Sequence, residues 1–174
     1  MPARQVIQAG IEALTRNEYK DIIVESLKHC IKNKGLVLNA WIIMSNHVHL
    51  IGSAKIQFTI SNILRDFKKF TSKKIFKAIK ENPNESRRDW MVYMFERAGK
   101  RNSNNKDFQF WQQDNHPIEL SNPAMIKQKL DYLHENPVRP PLAQVFRRIT
   151  CVYLSLPVCD WVSIKYFFAE LNFH

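Results

Sequence analysis

Cysteine, acidic charge and long apolar runs are all scarce in this sequence. Its three cysteines, Cys30, Cys151 and Cys159, are widely spaced and form no C-x-x-C pair. An odd and sparse set of thiols argues against a disulfide framework and indicates reduced cysteines. The N-terminus lacks the apolar segment of a signal peptide, and no run approaches the ~18 apolar residues needed to cross a bilayer. We therefore expect a cytoplasmic protein that does not span a membrane.

Positive charge is what the sequence has in excess. Lysine and arginine number 26 against 16 aspartate and glutamate residues, which gives a formal net charge of +10. Hydrophobic residues make up 45% of the 174 positions, enough for one globular domain with a core. A surplus of this size favours polyanionic partners, nucleic acid first and anionic membranes second. A basic surface that is merely solvated is the alternative.

The first part of the chain predicts a helix followed by a β-hairpin. Thr15 and Glu18 have the T-x-x-E spacing of a capping box, and apolar residues recur at helical spacing up to Gly35. Residues 36–44 are β-branched and aromatic, which indicates a buried strand. After a short polar turn, residues 47–51 alternate as a second strand.

A long basic helix is predicted from Thr59 to the stop signal at Asn82-Pro83. Its apolar positions recur at helical spacing, and lysine and arginine populate the other faces. A second amphipathic helix is expected over residues 85–98, followed by a polar, basic loop at 100–106.

A short aromatic strand at 108–112 and one more helix complete the pattern. Ser121 or Asn122 caps this helix, Pro123 is its first residue, and it runs to about Asn136. The aromatic side chains of the short strand are candidate stacking platforms for bases, although a place in the core fits a short strand better.

Two local features are chemically suggestive. His47 and His49 are two residues apart on a strand, so both imidazoles project from one face, as a shared metal site needs. Tyr132 lies one helical turn before Asn136, whose side-chain oxygen would share its face. Taken alone, each has an ordinary alternative: an accidental H-x-H pair, and an amphipathic surface tyrosine.

Together these residues form an ordered set of motifs. Residues 44–51 (MSNHVHLI), 108–116 (FQFWQQDNH) and 131–139 (DYLHENPVR) resemble the HUH-type single-tyrosine transposases, in particular insertion-sequence transposases and REP-associated tyrosine transposases. The resemblance extends from Thr15 to Arg139. The N-H-V-H-L strand combined with a downstream Y-x-x-x-N-P-V is specific, whereas either half alone would not be.

The resemblance implies a metal-dependent DNA strand transferase. In it, His47 and His49 bind Mg²⁺ or Mn²⁺ with Asn136 as the third ligand, and Tyr132 attacks the phosphodiester. It implies an α+β fold: a ferredoxin-like or RRM-like antiparallel sheet with helices packed on one face, the histidines on a central strand and Tyr132 on the last core helix. The substrate would be single-stranded, hairpin-bearing DNA, and a homodimer is compatible with the family.

The excess cations supply the expected contacts with that DNA. The basic helix and the loop that begins at residue 100 would neutralise phosphates. The residues assigned to this role are Arg65, Lys68, Lys69, Lys73, Lys100 and Arg101.

Both ends of the chain depart from the family pattern. Family members usually begin with an apolar strand that pairs with the histidine strand, whereas residues 1–14 make a poor strand. We therefore divide the chain into an atypical segment 1–14, a catalytic domain 15–139 and a divergent tail 140–174, which either packs or aggregates. A catalytically inactive DNA-hairpin binder, or a decayed, frame-disrupted transposase remnant, remain the alternatives.

Overall fold

A computed structural model describes residues 11–103, 107–113, 117–135 and 166–173 of the chain. A short 3-10 turn, Ala13–Thr15, precedes the first helix. The regular elements are, in chain order, α1 (Asn17–Asn33), β1 (Leu36–Ile43), β2 (His47–Ala54), α2 (Ile60–Glu81), α3 (Arg88–Lys100), β3 (Ile118–Leu120), α4 (Pro123–Glu135) and β4 (Tyr166–Asn172).

The strands form one four-stranded antiparallel sheet in the order β1-β2-β4-β3. This arrangement confirms the predicted α+β class and places His47 and His49 on a central strand, since β2 has a partner on each side. Strand β4, the second central strand and a partner of β2, was not predicted. It lies beside the histidine strand, where the resemblance expects a strand from the N-terminus, and so residues 166–173 of the apolar tail pack into the fold.

Helices cover both faces of the sheet. The prediction that helices pack on one face only is therefore wrong. Residues of α1, α2 and α3 share a core with Val48 and Leu50 of β2. On the other face, α4 packs through Ile126 and Leu133 against Ile51 and other apolar strand residues. The second layer exists because β1, β2 and β4 carry apolar side chains on both faces, and each face must be removed from water.

The predicted start of the basic helix near Thr59 is confirmed, and Thr59 caps α2, because its hydroxyl accepts a hydrogen bond from the backbone N–H of Asn62. The capping box predicted for Thr15 and Glu18 does not form. Instead α1 begins at Asn17 without a side-chain cap, and the Thr15 hydroxyl accepts a hydrogen bond from the Arg87 guanidinium at 2.7 Å.

Within the described residues, the aromatic segment at 108–112 makes a single β-bridge, between Trp111 and Phe173, and does not form the predicted strand. Side-chain contacts hold it in place: the Trp111 indole N–H donates to the Thr71 hydroxyl at 3.0 Å. Phe110 and Trp111 are buried, which confirms their place in the core. None of the helices in the described ranges is long and apolar enough to span a membrane.

Candidate metal and nucleophile site

His47 and His49 lie side by side on β2, on the sheet face that α4 covers. Their ring centroids are 4.5 Å apart and the rings meet edge to face. His49 is fully buried, whereas His47 is partly exposed at the start of the strand. The strand period of two thus brings both imidazoles to one place, as the sequence predicted.

Asn46 fixes the orientation of the His47 ring. The Nδ1 atom of His47 lies 2.6 Å from the Asn46 side-chain oxygen, to which it donates a hydrogen bond. With its proton on Nδ1, the imidazole presents the Nε2 lone pair for a ligand. Asn46 was only part of a motif in the sequence, and its role follows from this contact.

Both imidazoles are poorly basic. Burial lowers the pKa of His47, and the carboxylate of Glu170 only partly opposes that effect. Burial, followed by the neighbouring His47 and Lys129, lowers the pKa of His49 to about 3. Both rings are therefore neutral near neutral pH, which is the protonation state that binds metals.

Glu170 is the neighbour that sequence reasoning missed. It lies opposite His49 in the β2–β4 register, and its carboxylate is 3.9 Å from His49 Nδ1. Ligand atoms of His47, His49 and Glu170 all lie within 4.8 Å of one another. These three residues form a candidate metal site. No local signal near residue 170 could have indicated this, because the pairing of β4 with β2 is long-range.

Tyr132 projects from α4 toward the histidines. Its ring centroid is 5.4 Å from that of His49, in an edge-to-face arrangement, and 43% of its surface is exposed. The ammonium of Lys129, one turn earlier on α4, lies 5.7 Å from the Tyr132 ring centroid. The structure therefore brings Tyr132 to the histidine pair, with a cation beside it that the sequence analysis had not singled out. Asn136 lies outside the described residues.

The predicted DNA-binding cations divide into two groups. Lys100 and Arg101 are exposed at the C-terminal end of α3 and line no part of the groove between α2 and residues 107–113. Four others line this α2 groove: Arg65, Lys68, Lys69 and Lys73.

The α2 groove reaches the histidine end of the sheet, although α2 covers the opposite face. Lys68 donates from Nζ to the carbonyl oxygen of Gln112 at 3.2 Å, and the backbone N–H of Gln112 donates to the carbonyl of Asn172 at 2.8 Å. Asn172 is the β4 partner of His47. Two hydrogen bonds and one strand pairing therefore connect the basic helix to the first histidine.

Comparison with known families defines the class of the protein. The sequence model of the family described as "Transposase IS200 like" matches residues 11–106, more than half of the 174-residue chain and a range that includes both histidines. The protein is thus a transposase, an enzyme class that binds DNA. More narrowly, the chain belongs to the IS200-like family, which is of the single-tyrosine HUH type and implies the use of a divalent metal. Neither the curated proteins nor the solved structures gave a match.

Proposed function

We propose that this transposase cleaves and rejoins single-stranded, hairpin-bearing DNA through a covalent tyrosine intermediate, with Mg²⁺ or Mn²⁺ as its metal. The observation that carries the proposal is the approach of Tyr132 to a pair of neutral histidines, of which His49 is fully buried; the ring centroids of Tyr132 and His49 are 5.4 Å apart. A nucleophile placed beside a metal-binding pair is the arrangement that phosphodiester transfer requires.

The residues fit a divalent ion. His47 and His49 are neutral and adjacent, Asn46 orients the His47 ring, and a carboxylate lies within reach of both histidines. The sequence motif adds the side-chain oxygen of Asn136, and a mixed nitrogen and oxygen donor set suits Mg²⁺ or Mn²⁺. When bound, the ion would withdraw negative charge from a phosphate oxygen at the scissile bond.

The chain's own residues would carry out the transfer. The Tyr132 phenol loses its proton and its oxygen attacks the phosphorus, the P–O3′ bond breaks, and the 3′ oxygen leaves as a hydroxyl after taking up a proton. A 5′-phosphotyrosine remains until a second 3′-hydroxyl attacks and restores the free phenol. The Lys129 ammonium would attract the scissile phosphate to this position.

The α2 groove would hold the DNA backbone near the site. Lys69 and Lys73 are exposed along the groove, and the groove ends beside the β4 partner of His47. Phosphate contacts of this kind position a strand without reading its sequence. Because Trp111 and Phe110 are buried, they contribute to the core and not to base stacking.

The decisive test is the formation of a protein–DNA adduct. A hairpin-bearing single strand incubated with Mn²⁺ should give an adduct that survives denaturing electrophoresis and is joined through a 5′ phosphate. Tyr132→Phe removes the attacking oxygen and keeps the ring, so it should fold and bind DNA but give no adduct. Tyr93→Phe is the matched control, because Tyr93 is also an exposed helical tyrosine and lies on α3, which packs on the opposite face of the sheet.

Peptide mapping of the adduct decides between residues. DNA attached to any tyrosine other than Tyr132 would contradict the assignment of the nucleophile. If the unmutated protein bound hairpin DNA and formed no adduct at all, the function would instead be that of a DNA-hairpin binder.

A further inference from the structure

Glu170 projects into the site from the last strand of the fold. Alternation along β4 places it on the same sheet face as Phe168, whose ring stacks on His49 at a centroid distance of 5.5 Å. His49 and Glu170 are register partners, so their β-carbons are at the cross-strand separation of about 5 Å. The side chain of Glu170 is 42% exposed, whereas that of His49 is fully buried. Glu170 thus lies at the mouth of the site and His49 at its floor.

In the part of the chain that the structure describes, the Glu170 carboxylate forms no salt bridge with a lysine or arginine. Within the described ranges, the one group at ion-pair distance from its carboxylate is His49 Nδ1, at 3.9 Å. The ligand atoms of His47, His49 and Glu170 all lie within 4.8 Å of one another, so the carboxylate completes a cluster of three possible ligands. A carboxylate beside two imidazoles is a complement for a cation.

We infer that the Glu170 carboxylate is a direct ligand of the divalent ion at His47 and His49. The inference rests on the metal site of the proposed function and adds a ligand that comes from the last strand, not from the tyrosine helix. A hard, charged oxygen beside two imidazoles raises the preference of the site for Mg²⁺ or Mn²⁺ over softer ions. It also makes β4, which pairs with β2 from His47 to Ser53, part of the metal site.

The competing explanation is that Glu170 orients His49 without touching the ion. A carboxylate that accepts a hydrogen bond from a ligating histidine also raises metal affinity, so loss of affinity alone cannot separate the two roles. The number of water molecules bound to the ion can separate them. Removing a ligand opens a position that water fills, whereas removing an orienting partner leaves the number of ligands unchanged.

The experiment measures Mn²⁺ binding to the full chain without DNA. The electron paramagnetic resonance signal of free Mn²⁺ gives the dissociation constant, and water-proton relaxation at saturating protein gives the number of water molecules on the bound ion. Glu170→Ala should raise the dissociation constant at least about tenfold and add roughly one bound water. Because Glu170 is half-exposed, this variant should keep its fold, which thermal melting of the metal-free protein will check.

Glu119→Ala is the matched control. Glu119 is an exposed carboxylate on β3, and its register partner is Phe167. Phe167 belongs to the core on the sheet face that α1 and α2 cover, so Glu119 points away from the histidines. It should leave both Mn²⁺ affinity and water number unchanged.

Each remaining outcome contradicts the inference in a recognisable way. An unchanged affinity in Glu170→Ala, with normal binding by the unmutated protein, would reject Glu170 and leave the proposed histidine site intact. Weaker affinity with an unchanged water number would make Glu170 a positioning residue for His49. No binding by the unmutated protein would reject the metal assignment itself.

Discussion

Lowering the pH should destabilise the metal-free protein because of His49, beginning at pH values above those at which carboxylates titrate. The pKa of this imidazole is lowered to about 3 in the folded protein by burial, then by His47 and Lys129, from an ordinary value of 6.5. A group whose pKa is depressed on folding contributes stability that is complete above the unfolded pKa and is lost as pH falls. For His49 that loss begins near pH 6.5 and continues to about pH 3.

The size of the effect follows from the two pKa values. At about pH 5 an unfolded histidine is almost fully protonated, whereas His49 in the folded protein is almost fully neutral. The free energy of unfolding is therefore about 2 kcal/mol lower at about pH 5 than at about pH 7, since a single group of this kind contributes RT ln(1 + 10^1.5). Solvent does not screen this effect, because His49 is fully buried. His47 adds to the effect in the same direction, since burial lowers its pKa as well.

Urea unfolding in the presence of a chelator measures this directly. The unfolding free energy of the unmutated protein should fall by at least about 2 kcal/mol between about pH 7 and about pH 5. His49→Gln lacks the titrating group, so its profile should be flatter by about that amount, whatever its absolute stability. His29→Gln removes an exposed histidine on α1 and controls for histidine loss as such. Parallel profiles for His49→Gln and the unmutated protein would show that His49 is not held neutral by burial.

Two further predictions concern DNA binding and the sheet. Replacing Lys69 and Lys73 with glutamine should reduce the slope of log affinity against log salt by about 1.4 units, about 0.7 for each phosphate contact on a single strand. The same change at Lys77 and Lys80, which are exposed on α2 but do not line its groove, should leave the slope unchanged; equal effects would place the DNA elsewhere. Gly52→Ala should lower the unfolding free energy by about 1–3 kcal/mol in urea titrations, because its β-carbon would clash with the Val37 carbonyl oxygen of β1. Wild-type stability would mean that β1 can move aside.

Local patterns in the sequence predicted the first two-thirds of the fold well. The amphipathic periodicity of α2, its start near Thr59 and its stop before Pro83 are short-range signals, and the structure shows all three. The start of α4 at Pro123 follows the same logic, with the Asn122 side chain accepting a hydrogen bond from the backbone N–H of Met125. Such features depend on residues three or four positions apart.

Helix α3 shows where local signals mislead. The sequence predicts a helix over residues 85–98, but α3 continues through Gly99 to Lys100. A β-carbon at Gly99 would lie 2.6 Å from the Phe108 backbone, so the glycine is there to let the chain pass closely and not to break the helix.

The sequence by itself determined the histidine pair on a strand, the tyrosine near the end of the last predicted helix and the basic face of α2, because each is set by the repeat of a single element. Only the tertiary structure decided that Glu170 joins the histidines, that α4 covers the face opposite α2, and that the α2 groove meets the end of β4 beside His47. Those facts depend on which strand pairs with β2. The pairing of β4 with β2 joins residues that are more than a hundred positions apart. It is favoured because it buries both faces of the sheet, and no local sequence pattern can predict it.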